Sequence, residues 1–138
     1  MRAILDANVL ISALISPSGS PARILLAWQE GHFELIVSPA LLAEFRRALT
    51  YPRIERLIAP ADADAFVAWL SRFALLARDA TLPPPIDAAD PDDDYLLALA
   101  AEQRAQLVSG DGHLLALAGD YPIQKPADFL AAILGTHD

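Results

Sequence analysis

The sequence predicts an α/β protein, because short apolar strands alternate with helices along the chain. That order builds a parallel sheet covered by helices on both faces. Two further observations agree. Hydrophobic residues make up 54% of the 138 residues and mean hydropathy is +0.33, so the chain either buries several helices on most sides or keeps an apolar surface for a partner. The length suits one domain over residues 1–138, with no repeat or low-complexity tract to divide it.

Taken in order, residues 2–5 (Arg-Ala-Ile-Leu) read as a short buried strand running into Asp6. Asn8 can cap the apolar stretch from Val9 to Ile15 as a helix. The loop SPSGSP ends in a helix start, with Ser20 as N-cap and Pro21 at the first helical position. That helix runs towards Gly31. Phe33–Val37 is a second strand, and Ser38-Pro39 opens a helix to about Thr50. Arg53–Ile58 suits a short helix. Pro60 opens a longer one carrying Phe66, Trp69, Leu70 and Phe73 at helical spacing, before a weak third strand near Leu75–Ala77. TLPPPIDAAD is a proline-rich connection read as internal to the domain. Asp90-Pro91 starts a helix through about Gln103. Gln106–Ser109 is a fourth strand, GDG leads into a short helix to Gly119, Ile123–Gln124 suits a fifth strand, and Pro126–Leu134 a last helix.

Composition narrows the chemistry. There is no cysteine, which excludes disulfides and thiolate metal sites; a metal would need oxygen ligands, which favour Mg²⁺ or Mn²⁺. A net charge of −8 and a pI near 4.6 argue against a general nucleic-acid binder. Arg46, Arg47, Arg53 and Arg56 nevertheless fall close together, whereas Lys125 is the only lysine. An acidic chain with one arginine cluster suits an enzyme that collects a cation in a crevice and holds a polyanion beside it. Asp6 and Asn8 interrupt the stretch a signal peptide would need, and other apolar runs are far below membrane-spanning length. A cytoplasmic protein without a membrane partner is expected.

In open parallel sheets, ligands bind outside the carboxyl ends of the strands, where strand order reverses. Asp6 directly follows the first strand, and Asp111 follows the fourth by two residues. Alone, either is equally a turn or cap residue. Glu44 lies among Ala40, Leu41, Phe45 and Ala48 at i+3 and i+4 spacing. A carboxylate there needs a partner, either an arginine or a metal. In DPDDD, Asp90 suits an N-cap, and Asp92 and Asp93 suit the first turn on capping and dipole grounds. Asp94 lies one position further in, below Leu97, Ala98 and Ala101, and is the candidate ligand. His113 is a lone histidine at a helix start.

The segments LDANVLISAL, SPALLAEFRRAL, DPDDDYLLALA and LVSGDGHLL together resemble the PIN-domain family, in particular its VapC-like toxins from bacterial toxin–antitoxin systems. The resemblance implies a three-layer α/β/α sandwich with first and fourth strands adjacent. It implies a Mg²⁺- or Mn²⁺-dependent ribonuclease, with one or two ions held by Asp6, Glu44, Asp94 and Asp111. Asn8 and Ser109 match smaller polar positions that orient ligands or contact substrate, and Asp93 and His113 are grouped with them. Many relatives carry a second acid where this chain has His113. An RNA substrate, an antitoxin that blocks the crevice and a homodimer are the implied partners, with Arg46 and Arg47 available to the RNA backbone. Two other readings use the same residues. A non-catalytic PIN-like module would keep the fold and bind RNA or a partner. A haloacid-dehalogenase-like phosphatase would use Asp6, but it wants a second aspartate where Asn8 stands.

Overall fold

The computed structural model describes residues 1–135, so the last three positions of the expected 1–138 domain lie outside the described residues. Five strands, β1 (Arg2–Leu5), β2 (Glu34–Val37), β3 (Leu75–Leu76), β4 (Gln106–Val108) and β5 (Ile123–Gln124), form one sheet in the order β3-β2-β1-β4-β5. Every pairing is parallel. The chain builds one half outward from β1 through β2 to β3, then returns to lay β4 and β5 on the other side. The first and fourth strands are therefore adjacent, with Ile4 opposite Leu107 and Leu5 opposite Val108. This is where the order reverses.

Ala3, Ile4 and Leu5 are all fully buried. Consecutive strand residues point to opposite faces, so both faces of β1 are covered, as an α/β/α sandwich requires. The cover comes from α1 (Ala7–Ile15), α2 (Ser20–Gln29), α3 (Pro39–Leu49), α4 (Pro52–Glu55), α5 (Pro60–Phe73), α6 (Asp94–Gln103), α7 (Gly112–Leu115) and α8 (Pro126–Ile133). Helix α1 packs on α2 and α3, α2 on α8, and α6 against β4 and β1. Phe45, Leu70, Leu97 and Phe129 are fully buried, each contributing about 1.5–3 kcal/mol by leaving water. Phe45, Phe66, Trp69 and Trp28 form an aromatic chain joining α3, α5 and α2, with neighbouring centroids 5.0–5.6 Å apart. Among the described residues no single helix is long and apolar enough to cross a membrane.

The caps show where local chemistry differs from the expectation. Asp6, not Asn8, caps α1: its Oδ1 accepts from the Val9 N–H at 2.9 Å. Gly19 occupies the N-cap position of α2, and Ser20 is the first helical residue. Ser38 caps α3 as expected, accepting from the Leu41 N–H at 3.2 Å. Gly31, at φ +87°, lies just past α2, where an L side chain would be strained.

Between β3 and α6 the proline-rich connection has no regular structure, yet its backbone is tied down at intervals. The Glu102 carboxylate accepts from the Thr81 N–H at 2.9 Å. The Tyr121 hydroxyl accepts from the Ile86 N–H and donates to the Ile86 carbonyl, at 2.7 and 2.8 Å. Asp94 accepts from the Ala88 N–H at 2.7 Å. The connection is a strap across the fold. A 3-10 turn over Pro91–Asp93 then leads into α6.

Candidate active site

The carboxyl ends of β1 and β4 bring the first two acids together. The Asp6 N–H continues the ladder by donating to the Val108 carbonyl at 3.1 Å, which sets Asp6 beside Ser109. Ser109 is fully buried. Its hydroxyl hydrogen-bonds the Asp6 carboxylate, and its Oγ accepts from the Asp111 N–H at 3.0 Å. One serine thus interacts with both aspartates at the β1–β4 junction. Asp111 is the N-cap of α7, accepting from the His113 N–H at 2.8 Å.

Asp6 and Asp111 face a crevice of about 210 Å³, which Glu44 and Arg47 of α3 and Asp93 also line. Asp6 is only 5% exposed. Burial pushes its pKa up, opposed by the bonds from Ser109 and Val9, and the Asp111 charge adds to the rise. Asp93 is raised to about 6, first by burial and then by repulsion from Asp111, Asp90, Asp6 and Asp92. Tyr95, also on the crevice wall, has its phenol raised by burial and then by Glu44, Asp6 and Asp93. Mutual repulsion among these groups is the electrostatic signature of a shared acidic site.

Two expected placements are corrected. Asp94 does not reach the crevice. It is the first residue of α6 and turns away to accept the Ala88 N–H, facing a separate groove under the strap. The 3-10 turn causes this by delaying the start of the α-helix by three residues. Asp93 takes the N-cap position but caps nothing with its side chain, which is free to enter the crevice. Asp90 has the expected cap role, accepting from the Asp92 N–H at 3.0 Å. The arginine pair divides as well: Arg47 lines the acidic crevice, whereas Arg46 lines a different groove between α3 and α5. Asn8 is exposed at the crevice, and His113 is exposed. Tyr95 and Tyr51 also line the crevice and had no recognised sequence signal. An aromatic directly after an acidic run could have drawn attention to Tyr95, but Tyr-Pro at Tyr51 reads simply as a loop.

Arg47 Nη1 donates to Glu44 Oε1, so the carboxylate that sits among apolar neighbours has an internal counter-ion. Among the described residues, no three carboxylate or imidazole groups converge in their present rotamers as ligands of one ion. The donor chemistry nevertheless fits a hard divalent cation. Every donor is a carboxylate oxygen, as such cations prefer, and Asp6, Asp93 and Asp111 repel one another, a cost that a cation would remove.

Carboxylates gathered over the switch point of a parallel sheet define an α/β protein with an acidic crevice where such folds bind their ligands. Residues 2–113 match the family model described as PIN domain, and the chain belongs to that family, whose members are commonly nucleases. It is 27% identical over 120 residues to the uncharacterized protein MJ1680 of Methanocaldococcus jannaschii, covering 85% of this chain and 75% of that protein. Its fold is similar to a chain in the structure of VapBC2 from Rickettsia felis bound to a DNA fragment from their promoter. That match has TM-score 0.64 and 12% identity, and covers 91% of this chain and 98% of that one. It is also similar to the PilT N-terminus domain protein SSO1118 of Sulfolobus solfataricus P2. There the TM-score is 0.61 and the identity 14%, with 100% and 98% covered.

Proposed function

We propose that this protein is a divalent-metal-dependent ribonuclease hydrolysing RNA phosphodiester bonds, and the toxin of a toxin–antitoxin pair. The observation that carries the first part is the approach of Asp6, Glu44, Asp93 and Asp111 to one crevice over the β1–β4 junction. These four residues would hold one or two Mg²⁺ or Mn²⁺ ions. A bound ion would supply a more acidic water and charge neutralisation on phosphate during in-line displacement.

The chain's own residues have definable tasks. Asp6, fixed by Val9 and Ser109, gives the site one carboxylate with a settled orientation. Ser109 couples Asp6 to Asp111, so the spacing of the two follows the β1–β4 register. Arg47 pairs with Glu44 and is the cation nearest to hand for an RNA phosphate. A phosphate that took Arg47 would leave the Glu44 carboxylate without its partner, and Glu44 would then be available to help hold a cation. No side-chain nucleophile is needed, which suits a cysteine-free chain.

The toxin role rests on the VapC-like segments and the fold shared with VapBC2. In that role one domain over residues 1–138 acts in the cytoplasm, forms a homodimer and pairs with an antitoxin that covers the crevice. The deciding experiment incubates purified protein with RNA. Cleavage with Mg²⁺ or Mn²⁺, stopped by EDTA and absent in Asp6→Asn, supports the reading. Cleavage that continues unchanged in EDTA, with clean mock-purified controls, removes it.

A further inference from the structure

Six carboxylates (Asp6, Glu44, Asp90, Asp92, Asp93 and Asp111) and a single guanidinium, that of Arg47, line the crevice. Even with two divalent ions bound, its charge opposes a polyanion. Ordinary nucleic-acid sites draw most of their affinity from phosphate contacts, and this crevice has one side chain suited to that. Affinity here needs a contribution that negative charge does not cancel.

Tyr51 provides one. It stands on the crevice wall with Glu44 and Arg47, two residues past the end of α3 at the N-cap position of α4, and is 48% exposed. Its ring is absent from the hydrophobic core and from the partly buried side chains packed against it, so folding does not account for it. Its backbone is rigid. The Tyr51 carbonyl accepts from the Ile54 and Glu55 N–H groups at 2.8 and 2.9 Å, and its own N–H donates to the Ala48 carbonyl at 3.2 Å. A half-exposed aromatic ring on a fixed backbone, beside an arginine, suits the two faces of a nucleotide: guanidinium to phosphate, ring to base. Tyr95, the other tyrosine of the crevice, packs against the core and is less available.

We infer that Tyr51 is a nucleobase-stacking residue, which holds an unpaired base of the RNA against the crevice wall while Arg47 holds a neighbouring phosphate. The inference rests on the ribonuclease reading above. Every base has a π-face, so stacking of this kind tolerates sequence while requiring an unpaired base.

The test is a fluorescence titration of short single-stranded RNAs carrying 2-aminopurine at successive positions. It uses the full chain with Ca²⁺ in place of Mg²⁺, with each oligomer checked intact by gel afterwards. Wild type should quench 2-aminopurine at one or two adjacent positions. Tyr51→Ala should lose that quenching and bind about 5- to 150-fold more weakly, with the salt dependence unchanged because no phosphate contact is lost. Tyr51→Phe should bind as wild type, and matching melting curves establish that both variants fold. Wild-type affinity in Tyr51→Ala overturns the inference. So does an equal loss in Tyr51→Phe, which would assign the effect to the hydroxyl. The same oligomers with Mg²⁺ separate the two readings. If wild type cleaves them but Tyr51→Ala binds normally, only the stacking role fails; if wild type neither binds nor cleaves any RNA, the ribonuclease reading fails as well.

Discussion

Asp93 and Asp94 are adjacent, identical and differently employed, so exchanging each one separately tests the site more sharply than any other pair. Asp93 faces Asp6 and Asp111, and its pKa of about 6 means that ionising it in the metal-free protein works against folding. Asp93→Asn keeps the shape and removes the charge. After allowance for solvent screening, relief of the burial cost and of the repulsion together amounts to about 1–2 kcal/mol. For a chain of this length each kcal/mol moves Tm by about 3–5 °C, so the metal-free variant should melt a few degrees higher than wild type. Asp94→Ala instead removes the acceptor of the Ala88 N–H and should cost about 1–3 kcal/mol, lowering Tm. Added Mn²⁺ should separate the two variants again. At a hundredfold excess over Kd, binding stabilises wild type by about 2.7 kcal/mol, a rise near 10 °C by the same conversion. Asp94→Ala should keep that rise and Asp93→Asn should lose most of it. Differential scanning calorimetry of wild type and both variants, in EDTA and in Mn²⁺, measures all six values. If Asp94→Ala loses the Mn²⁺ shift while Asp93→Asn retains it, the ion sits on the strap side of α6 and the crevice assignment is wrong.

Three further outcomes are expected. Arg47→Ala should reduce the slope of log K against log salt for single-stranded RNA by about 0.7, one phosphate contact, whereas Arg46→Ala, on another groove, should leave it unchanged; equal effects would mean that the division of the pair does not matter for binding. The pH dependence of metal-free stability should carry the sign of a raised carboxyl. With an unfolded pKa of 3.8 and a folded one of about 6, the native state binds the extra proton between these values. The Asp93 contribution therefore falls as pH rises from about 4 to 6 and is flat above; Tm differences between wild type and Asp93→Asn over pH 4–7 should widen across that window, and constant differences would contradict it. Expression of the chain alone should slow growth of a bacterial host and Asp6→Asn should relieve it, with equal inhibition by both pointing to aggregation.

Much of the fold was legible because its signals are local. Short runs rich in Val, Ile and Leu marked β1, β2 and β4, and Ser38-Pro39 marked the start of α3 through chemistry confined to a few residues. Caps were less legible where two candidates lie close together. Asp6 and Asn8 can both serve α1, and the choice depends on β1 ending at Leu5 and directing the Asp6 carboxylate at the Val9 N–H. The strap's prolines announced an irregular connection, but nothing local shows that Tyr121, thirty-five residues away from Ile86, holds it.

The acidic set illustrates why a site can be correct in its helix and wrong in its residue. Reading Pro91 as the first position of an α-helix puts Asp94 one turn inward on the stripe with Leu97 and Ala98. The structure instead completes Pro91–Asp93 as a 3-10 turn, which advances about 120° per residue against 100° in an α-helix. Over the three residues of the turn that difference adds to about 60°, more than half the angle between neighbouring side chains, and favours Asp93 over Asp94 at the crevice. Propensity does not decide between the two turns, since Asp-Pro-Asp suits either. Tertiary contacts do: Asp94 meets the strap through Ala88, and that bond becomes available once Asp93 is turned towards Asp6 and Asp111. The strap therefore helps to set the site. Weakening it at a distance, for instance with Tyr121→Phe, removes the hydroxyl that both donates to and accepts from Ile86 without touching an acid. If the strap holds Asp94 outward, that change should lower Mn²⁺ affinity as well as stability. If it lowers stability alone, the 3-10 turn keeps Asp93 in the crevice without help.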